Sequence, residues 1–150
     1  MKINLSINKY SLTSRMTFSK LIIAYLLTTI VFFAIDMLWL GFIAKDLYRK
    51  YLGEFLSDQV NWTAAIIFYL LFIIGIFYFS ILPAHEKQSL SKVIISGAFF
   101  GFITYATYDL TNMATLKNWP LPIVFIDIIW GAVLTALVST AGFYIVKWLN

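Results

Sequence analysis

The stretch "TAAIIFYLLFIIGIFYFSIL", Thr63–Leu82, decides the fold class, because its 20 residues include no acidic or basic side chain. An α-helix of about 20 residues rises about 30 Å, which is the thickness of the hydrocarbon core of a bilayer. This length and this composition together predict a transmembrane helix.

Three further apolar segments lie outside that stretch, at residues 21–44, 93–112 and 121–146. Of the whole chain, 61% is hydrophobic and 12% is charged, whereas soluble domains are roughly a quarter charged. A bilayer accommodates such a surface and a small soluble core does not. We therefore predict an all-α, polytopic membrane protein, in which residues 20–150 form one domain built on a bundle of four transmembrane helices.

Residues 1–19 are polar, and we interpret them as a mobile cytoplasmic tail. A cleavable signal peptide is the competing interpretation. It is not favoured, because the first apolar run is too long and lacks a small-x-small cleavage motif at its end. The chain contains no cysteine, which excludes disulfides, thiolate metal sites and cysteine nucleophiles.

The connection at Lys45–Asp58 has its own pattern. Leu47, Tyr51, Leu52 and Phe55 fall on one broad side of a helix, with charged residues interleaved. This pattern predicts a short amphipathic interfacial helix between helices one and two, placed where it would cover the acidic residues described next. An ordinary loop helix is the alternative.

The distribution of lysine and arginine indicates the orientation. With the N-terminus inside, seven of these residues lie on the cytoplasmic side, and four lie opposite, namely Lys45, Arg49, Lys50 and Lys117. The positive-inside rule then places both termini in the cytoplasm. The net charge of +4 belongs to segment ends and does not indicate nucleic-acid binding.

Three aspartates lie inside the predicted helices, and this topology puts them at one depth. Asp36, Asp109 and Asp127 are each roughly 5–12 Å below the outer boundary at 1.5 Å per residue. Two of them belong to a repeated stretch, since Ile35–Gly41 reads "IDMLWLG" and Ile126–Gly131 reads "IDIIWG". The position of the glycine differs by one residue, and no wider repeat is present.

The helical periodicity of the third segment gathers small and polar residues on one stripe. Gly97 and Gly101 would admit a neighbouring helix closely, and Gly131 has the same role in helix four. The residues that we expect to line a shared binding site are Asp36, Trp39, Tyr105, Tyr108, Asp109, Asn112, Asp127 and Trp130. Helix two offers no ionisable group apart from tyrosines, and we assign it mainly to packing and lipid contact.

Each candidate also has a structural interpretation. An aspartate inside a membrane is a functional-site hypothesis by default, yet it can simply accept hydrogen bonds from indole or phenol groups and lock helices together. Trp39 and Trp130 can equally be interfacial belt residues. For Trp119, beside Pro120, we favour the belt.

Three stretches carry a family resemblance: "IDMLWLGFIAKDLY" (Ile35–Tyr48), "TYDLTNMATLKNWP" (Thr107–Pro120) and "DIIWG" (Asp127–Gly131). They resemble the small bacterial membrane proteins of the domain-of-unknown-function family 2177 (DUF2177), and the resemblance extends roughly from Lys20 to Trp148. It implies a compact four-helix protein of the bacterial inner membrane. It implies no activity.

The chemistry of the three acids must therefore come from the residues themselves. Close together in a medium of low dielectric, carboxylates cannot all ionise at low cost. No lysine, arginine or histidine lies at their depth, so the site must hold protons, bind a cation or be wet. Tyrosine and tryptophan beside carboxylates also suit an organic cation through cation–π contact.

Binding or transport of a cation, proton or small cationic solute is therefore the function that we favour. A structural or partner-regulating membrane protein is the first alternative, and a small lipid-directed enzyme using aspartates as general acid and base is the second. The usual enzyme motifs are absent from the sequence, and we name no catalytic residue, no cofactor and no defined metal site. The expected partners are the lipid bilayer and, because four helices are few for a transporter, further copies of the chain.

Overall fold

The computed structural model describes residues 16–57 and 59–150, and in this part of the chain it contains helices and no strand. The predicted all-α fold is confirmed. Of the predicted tail, residues 1–15 lie outside the described residues. In chain order the elements are α1 (Phe18–Leu38), a π-helical turn (Trp39–Ile43), α2 (Lys45–Leu52), α3 (Trp62–Ile76), a second π-helical turn (Phe77–Ile81), α4 (Leu82–Glu86), α5 (Leu90–Thr115) and α6 (Leu121–Leu149).

Four helical segments are long and apolar enough to cross a membrane, as predicted. They are Phe18–Ile43, Trp62–Glu86, Leu90–Thr115 and Leu121–Leu149. Each is longer than its predicted counterpart, because hydropathy marks only the hydrocarbon core whereas a helix continues into the polar interface. The ends carry helix signals: Ser89 accepts a hydrogen bond from the amide of Lys92 at the start of α5, and Pro122 lies in the first turn of α6.

The contact between α5 and α6 is the most extensive between helices in the described residues, and it depends on glycine. A Cβ atom on Gly101 would collide with the backbone carbonyl of Gly131, and one on Gly97 would lie 2.6 Å from the Ser139 hydroxyl. A Cβ atom on Gly131 would collide with the ring of Tyr105. The absence of side chains at these three positions therefore lets the two backbones meet.

Most large apolar side chains on the outer faces of the spans are exposed, as lipid contact requires. Ile67, Phe99, Phe125 and Ile129 are examples. A smaller set fills the bundle interior, and its fully enclosed members are Ala24, Ile73, Ile76, Ile81, Leu134, Val138 and Val146. The interior also contains hydroxyl groups, among them Thr28 and Ser80, which donate to backbone carbonyls.

The short helix α2 packs on the beginning of α6. Leu52 forms a buried cluster with Trp119, Ile123 and Val124. The ring of Phe55 lies 5.2 Å from that of Trp119, between centroids. The predicted amphipathic helix is therefore present, although it ends at Leu52 instead of continuing to residue 58, because Gly53 and the turn that follows interrupt it.

Candidate functional site

Asp36 of α1 and Asp127 of α6 line one cavity of about 330 Å³. It lies between α1, α3, α5 and α6 and beneath α2. The other lining residues are Leu40, Tyr48, Leu52, Phe68, Tyr69, Phe72, Thr104, Tyr105, Tyr108 and Trp130. Seven of the twelve lining residues are aromatic, and none is a lysine, arginine or histidine.

The depth of the acids follows from the observed helix ends. Asp36 lies seven residues before Ile43, Asp109 six before Thr115, and Asp127 six after Leu121. At 1.5 Å per residue each carboxyl lies about 10 Å from the end of its span. Since α1 and α5 approach this end of the bundle and α6 leaves it, the three acids share one level.

Asp36 is held by a phenol from α3. Its side chain is 3% exposed, and the Tyr69 hydroxyl donates to Oδ2 at 3.1 Å. The assignment of helix two to packing and lipid contact is therefore wrong for Tyr69. The sequence contained a usable indication, because Tyr69 lies seven residues after Trp62 and so at the level of the acids.

Asp127 is held by a phenol from α2. The Tyr48 hydroxyl donates to Asp127 Oδ1 and accepts a hydrogen bond from the Trp39 indole at 3.3 Å. Burial first, and then the bond to Asp127, raise the pKa of Tyr48 well above the ordinary phenol value, so this hydroxyl remains a donor at neutral pH. Helix α2 thus covers the acidic cavity, and its location at the membrane interface stays a prediction.

The two copies of the repeated stretch meet each other. The rings of Trp39 and Trp130 are stacked, with centroids 4.2 Å apart and planes at 9°. The two Asp-x-x-Trp patterns of the antiparallel helices α1 and α6 therefore face one another across the site. The indole N–H of Trp130 is buried there and has no hydrogen-bond partner.

Asp109 has a different position from the other two acids. It does not line the cavity, and its side chain is 0% exposed. The Trp119 indole donates to Asp109 Oδ1 at 3.4 Å, and Oδ2 has no partner. The interpretation of Trp119 as a belt residue is wrong, since that side chain is 8% exposed and pairs with a buried acid.

Tyr105 lies one helical turn before Asp109 on α5 and lines the cavity together with Asp36 and Asp127. Of the other residues that we expected at the site, Tyr105 and Tyr108 line the cavity, whereas Trp39 and Asn112 do not. Within residues 16–57 and 59–150, no three acidic or histidine side chains converge closely enough to hold a metal ion. The arrangement is therefore a pair of carboxyls on an aromatic cavity, with a third acid behind it.

A family model described as "Predicted membrane protein (DUF2177)" matches residues 21–144. This range contains every residue that lines the cavity, as well as Asp109 and Trp119. No curated protein and no solved structure is significantly similar to the chain.

Proposed function

The chain belongs to the DUF2177 family of predicted membrane proteins, and from that premise we propose that it binds a small organic cation within the membrane, between Asp36 and Asp127. The observation that carries the proposal is the composition of one cavity. Two buried carboxyls face it, aromatic rings form most of its wall, and no basic side chain lines it.

The charge of the cavity favours a cationic occupant. Ionised carboxyls inside a membrane are costly unless they are paired. Each of these two accepts a hydrogen bond from a phenol, and no basic side chain lines the cavity. A phenol stabilises a carboxylate without neutralising it. A bound cation, or protons in its place, would supply the missing positive charge.

The walls favour an organic cation over a bare metal ion. Tyr69, Tyr105, Tyr108 and Trp130 present aromatic rings to the cavity, and such rings attract ammonium groups through cation–π contact. The volume of about 330 Å³ is at the lower end of the range for small-molecule sites. An alkylammonium compound of a few carbon atoms matches both properties.

The orientation and the location belong to the same proposal. The lysine and arginine distribution supports cytoplasmic termini, which puts the cavity in the outer half of the bilayer. We place the protein in the bacterial inner membrane on the family resemblance. Transport of the cation is a further step of this proposal and would involve several copies of the chain, because four helices offer few surfaces for alternating access.

One observation favours a second candidate, a purely structural role. Each carboxyl accepts its bond from a different element: Asp36 from α3, Asp127 from α2 and Asp109 from the loop before α6. Such bonds hold neighbouring elements together whether or not a ligand binds. The two candidates differ in what happens when a carboxyl becomes an amide.

The decisive experiment measures binding and stability on the same variants. The full chain in lipid nanodiscs is titrated calorimetrically with tetramethylammonium chloride and, for comparison, with sodium chloride. We expect Asp36→Asn and Asp127→Asn to weaken tetramethylammonium binding at least about tenfold, which corresponds to about 1.4 kcal/mol. Asp46→Asn is the matched control, because Asp46 is an exposed acid on α2 that does not line the cavity.

Two results of this experiment would contradict the binding proposal. If the parent protein binds no tetramethylammonium while the Asn variants melt at lower temperature, the acids are structural locks and the binding proposal is wrong. If sodium binds as tightly as tetramethylammonium, the aromatic walls contribute nothing and the proposed class of ligand is wrong.

A further inference from the structure

Asp109 differs from the other two acids in its hydrogen bonding. Asp36 and Asp127 each accept from a phenol and face the cavity. Asp109 is 0% exposed, accepts only the long 3.4 Å bond from the Trp119 indole at Oδ1, and has no partner at Oδ2. An ionised carboxyl with one oxygen buried and unpaired is among the costliest arrangements in a protein.

The groups that face Asp109 increase this cost. From α6 the carboxyl of Asp127, a like charge when ionised, lies at the same level of the bundle. On its own helix, Tyr105 lies one turn before Asp109 and Tyr108 lies next to it. The loop contributes Trp119, and α2 covers that indole with the apolar side chain of Leu52. In the described part of the chain no lysine, arginine or histidine pairs with Asp109.

We propose that Asp109 is a proton-carrying site: it is a neutral carboxylic acid in the cation-free protein and releases its proton when a cation binds between Asp36 and Asp127. The proton resides on Oδ2, the oxygen that no donor approaches, and Oδ1 is the carbonyl oxygen that accepts from Trp119. The release step rests on the proposed function, whereas the resident proton does not.

The coupling follows from the position of Asp127. That carboxyl lines the cavity, and Trp119, the donor to Asp109, packs with Ile123 and Val124 on the turn of α6 that precedes it. Two ionised carboxyls so placed in one buried region repel each other. A cation beside Asp127 cancels the repulsion, and the ionisation of Asp109 then costs less. The O–H bond at Oδ2 breaks, its electron pair remains on the carboxylate, and the proton passes to water. One positive charge enters the site as one leaves, so the local net charge is unchanged.

The first measurement tests the resident proton without any ligand. Infrared difference spectra of the parent protein against Asp109→Asn, in nanodiscs at neutral pH, should contain one carbonyl stretch of a protonated carboxylic acid. Asp46→Asn should leave that band in place, since Asp46 is exposed. Trp119→Phe should move the band to higher frequency, because the carbonyl loses its indole donor. If Asp109→Asn does not fold, this shift assigns the band to Asp109 instead.

The second measurement tests the release. Tetramethylammonium is added to weakly buffered protein that contains a pH dye, and about one proton should appear per cation bound. Asp109→Asn should bind the cation and release none. Absence of the infrared band, or its persistence in Asp109→Asn, overturns the resident proton. If the cation binds and no proton is released, the coupling alone is wrong. If no cation binds, both the proposed function and the coupling are wrong. The infrared band still decides in that case whether Asp109 carries a proton.

Discussion

Tyr48 is the residue on which closure of the cavity most directly depends, because its hydroxyl donates to Asp127 and accepts from Trp39. Tyr48→Phe keeps the ring in the α2 cluster and removes both bonds. We expect a loss of about 1.5–3 kcal/mol, the range for a hydrogen bond to a charged group. Thermal unfolding in detergent measures it. Tyr51→Phe, on the same helix and in the same cluster, should change stability by less than about 0.5 kcal/mol.

The pH dependence of this contribution has a defined sign. Burial raises the pKa of Tyr48 in the folded protein, whereas a phenol in the unfolded chain ionises near pH 10. The stabilisation should therefore be complete below about pH 10 and fall as the pH rises further. Equal melting temperatures for the parent and Tyr48→Phe at pH 7 would show that the hydroxyl does not hold α2.

At the scale of single residues, the three aspartates were easier to predict from the sequence than the side chains that donate hydrogen bonds to them. An aspartate inside an apolar segment is conspicuous, because its burial is costly wherever it points. A phenol such as that of Tyr69 is unremarkable in a helix that contacts both lipid and core. Trp119 shows the same ambiguity, since a tryptophan beside a proline at the end of a span is typical of a belt and only tertiary contacts turn it toward Asp109.

At the scale of elements, the contact between α5 and α6 gives the sharpest test. Gly101→Ala places a methyl group against the carbonyl of Gly131, a backbone atom that cannot rotate away. We expect the melting temperature in detergent to fall, with a cost of about 1–3 kcal/mol for overpacking. Gly41→Ala is the control, because nothing lies within 4 Å of a Cβ there. If both variants melt alike, the two helices tolerate separation at this level.

The four spans and the amphipathic helix were predictable because each follows from composition or periodicity over many residues. The two π-helical turns were not. A π-helical turn differs from an α-helical one only in that the amide bonds to the carbonyl five residues back, as Ala44 does to Trp39 at 2.8 Å. Neither periodicity nor propensity marks that choice over five residues.

For the whole molecule, the orientation can be tested simply because the chain contains no cysteine. Ser57→Cys and Ser91→Cys place single thiols at exposed positions at opposite ends of the span Trp62–Glu86. With the termini in the cytoplasm, an impermeant maleimide added to intact cells should label Ser57→Cys alone. Labelling of Ser91→Cys alone would invert the assignment and put the cavity in the inner half of the bilayer.

The first π-helical turn coincides with the one difference in spacing between the two Ile-Asp-x-x-Trp patterns. The stretches from Ile35 and from Ile126 have isoleucine, aspartate and tryptophan at the same spacing, after which the first has one residue more, Leu40, before its glycine. That additional residue falls inside the π-helical turn at Trp39–Ile43. Deletion of Leu40 would give both helices Ile-Asp-x-x-Trp-Gly and, we expect, an α-helical turn. The chain beyond it would rotate by about 100°, and Tyr48 would leave Asp127, so this single additional residue would be what lets α2 close the cavity.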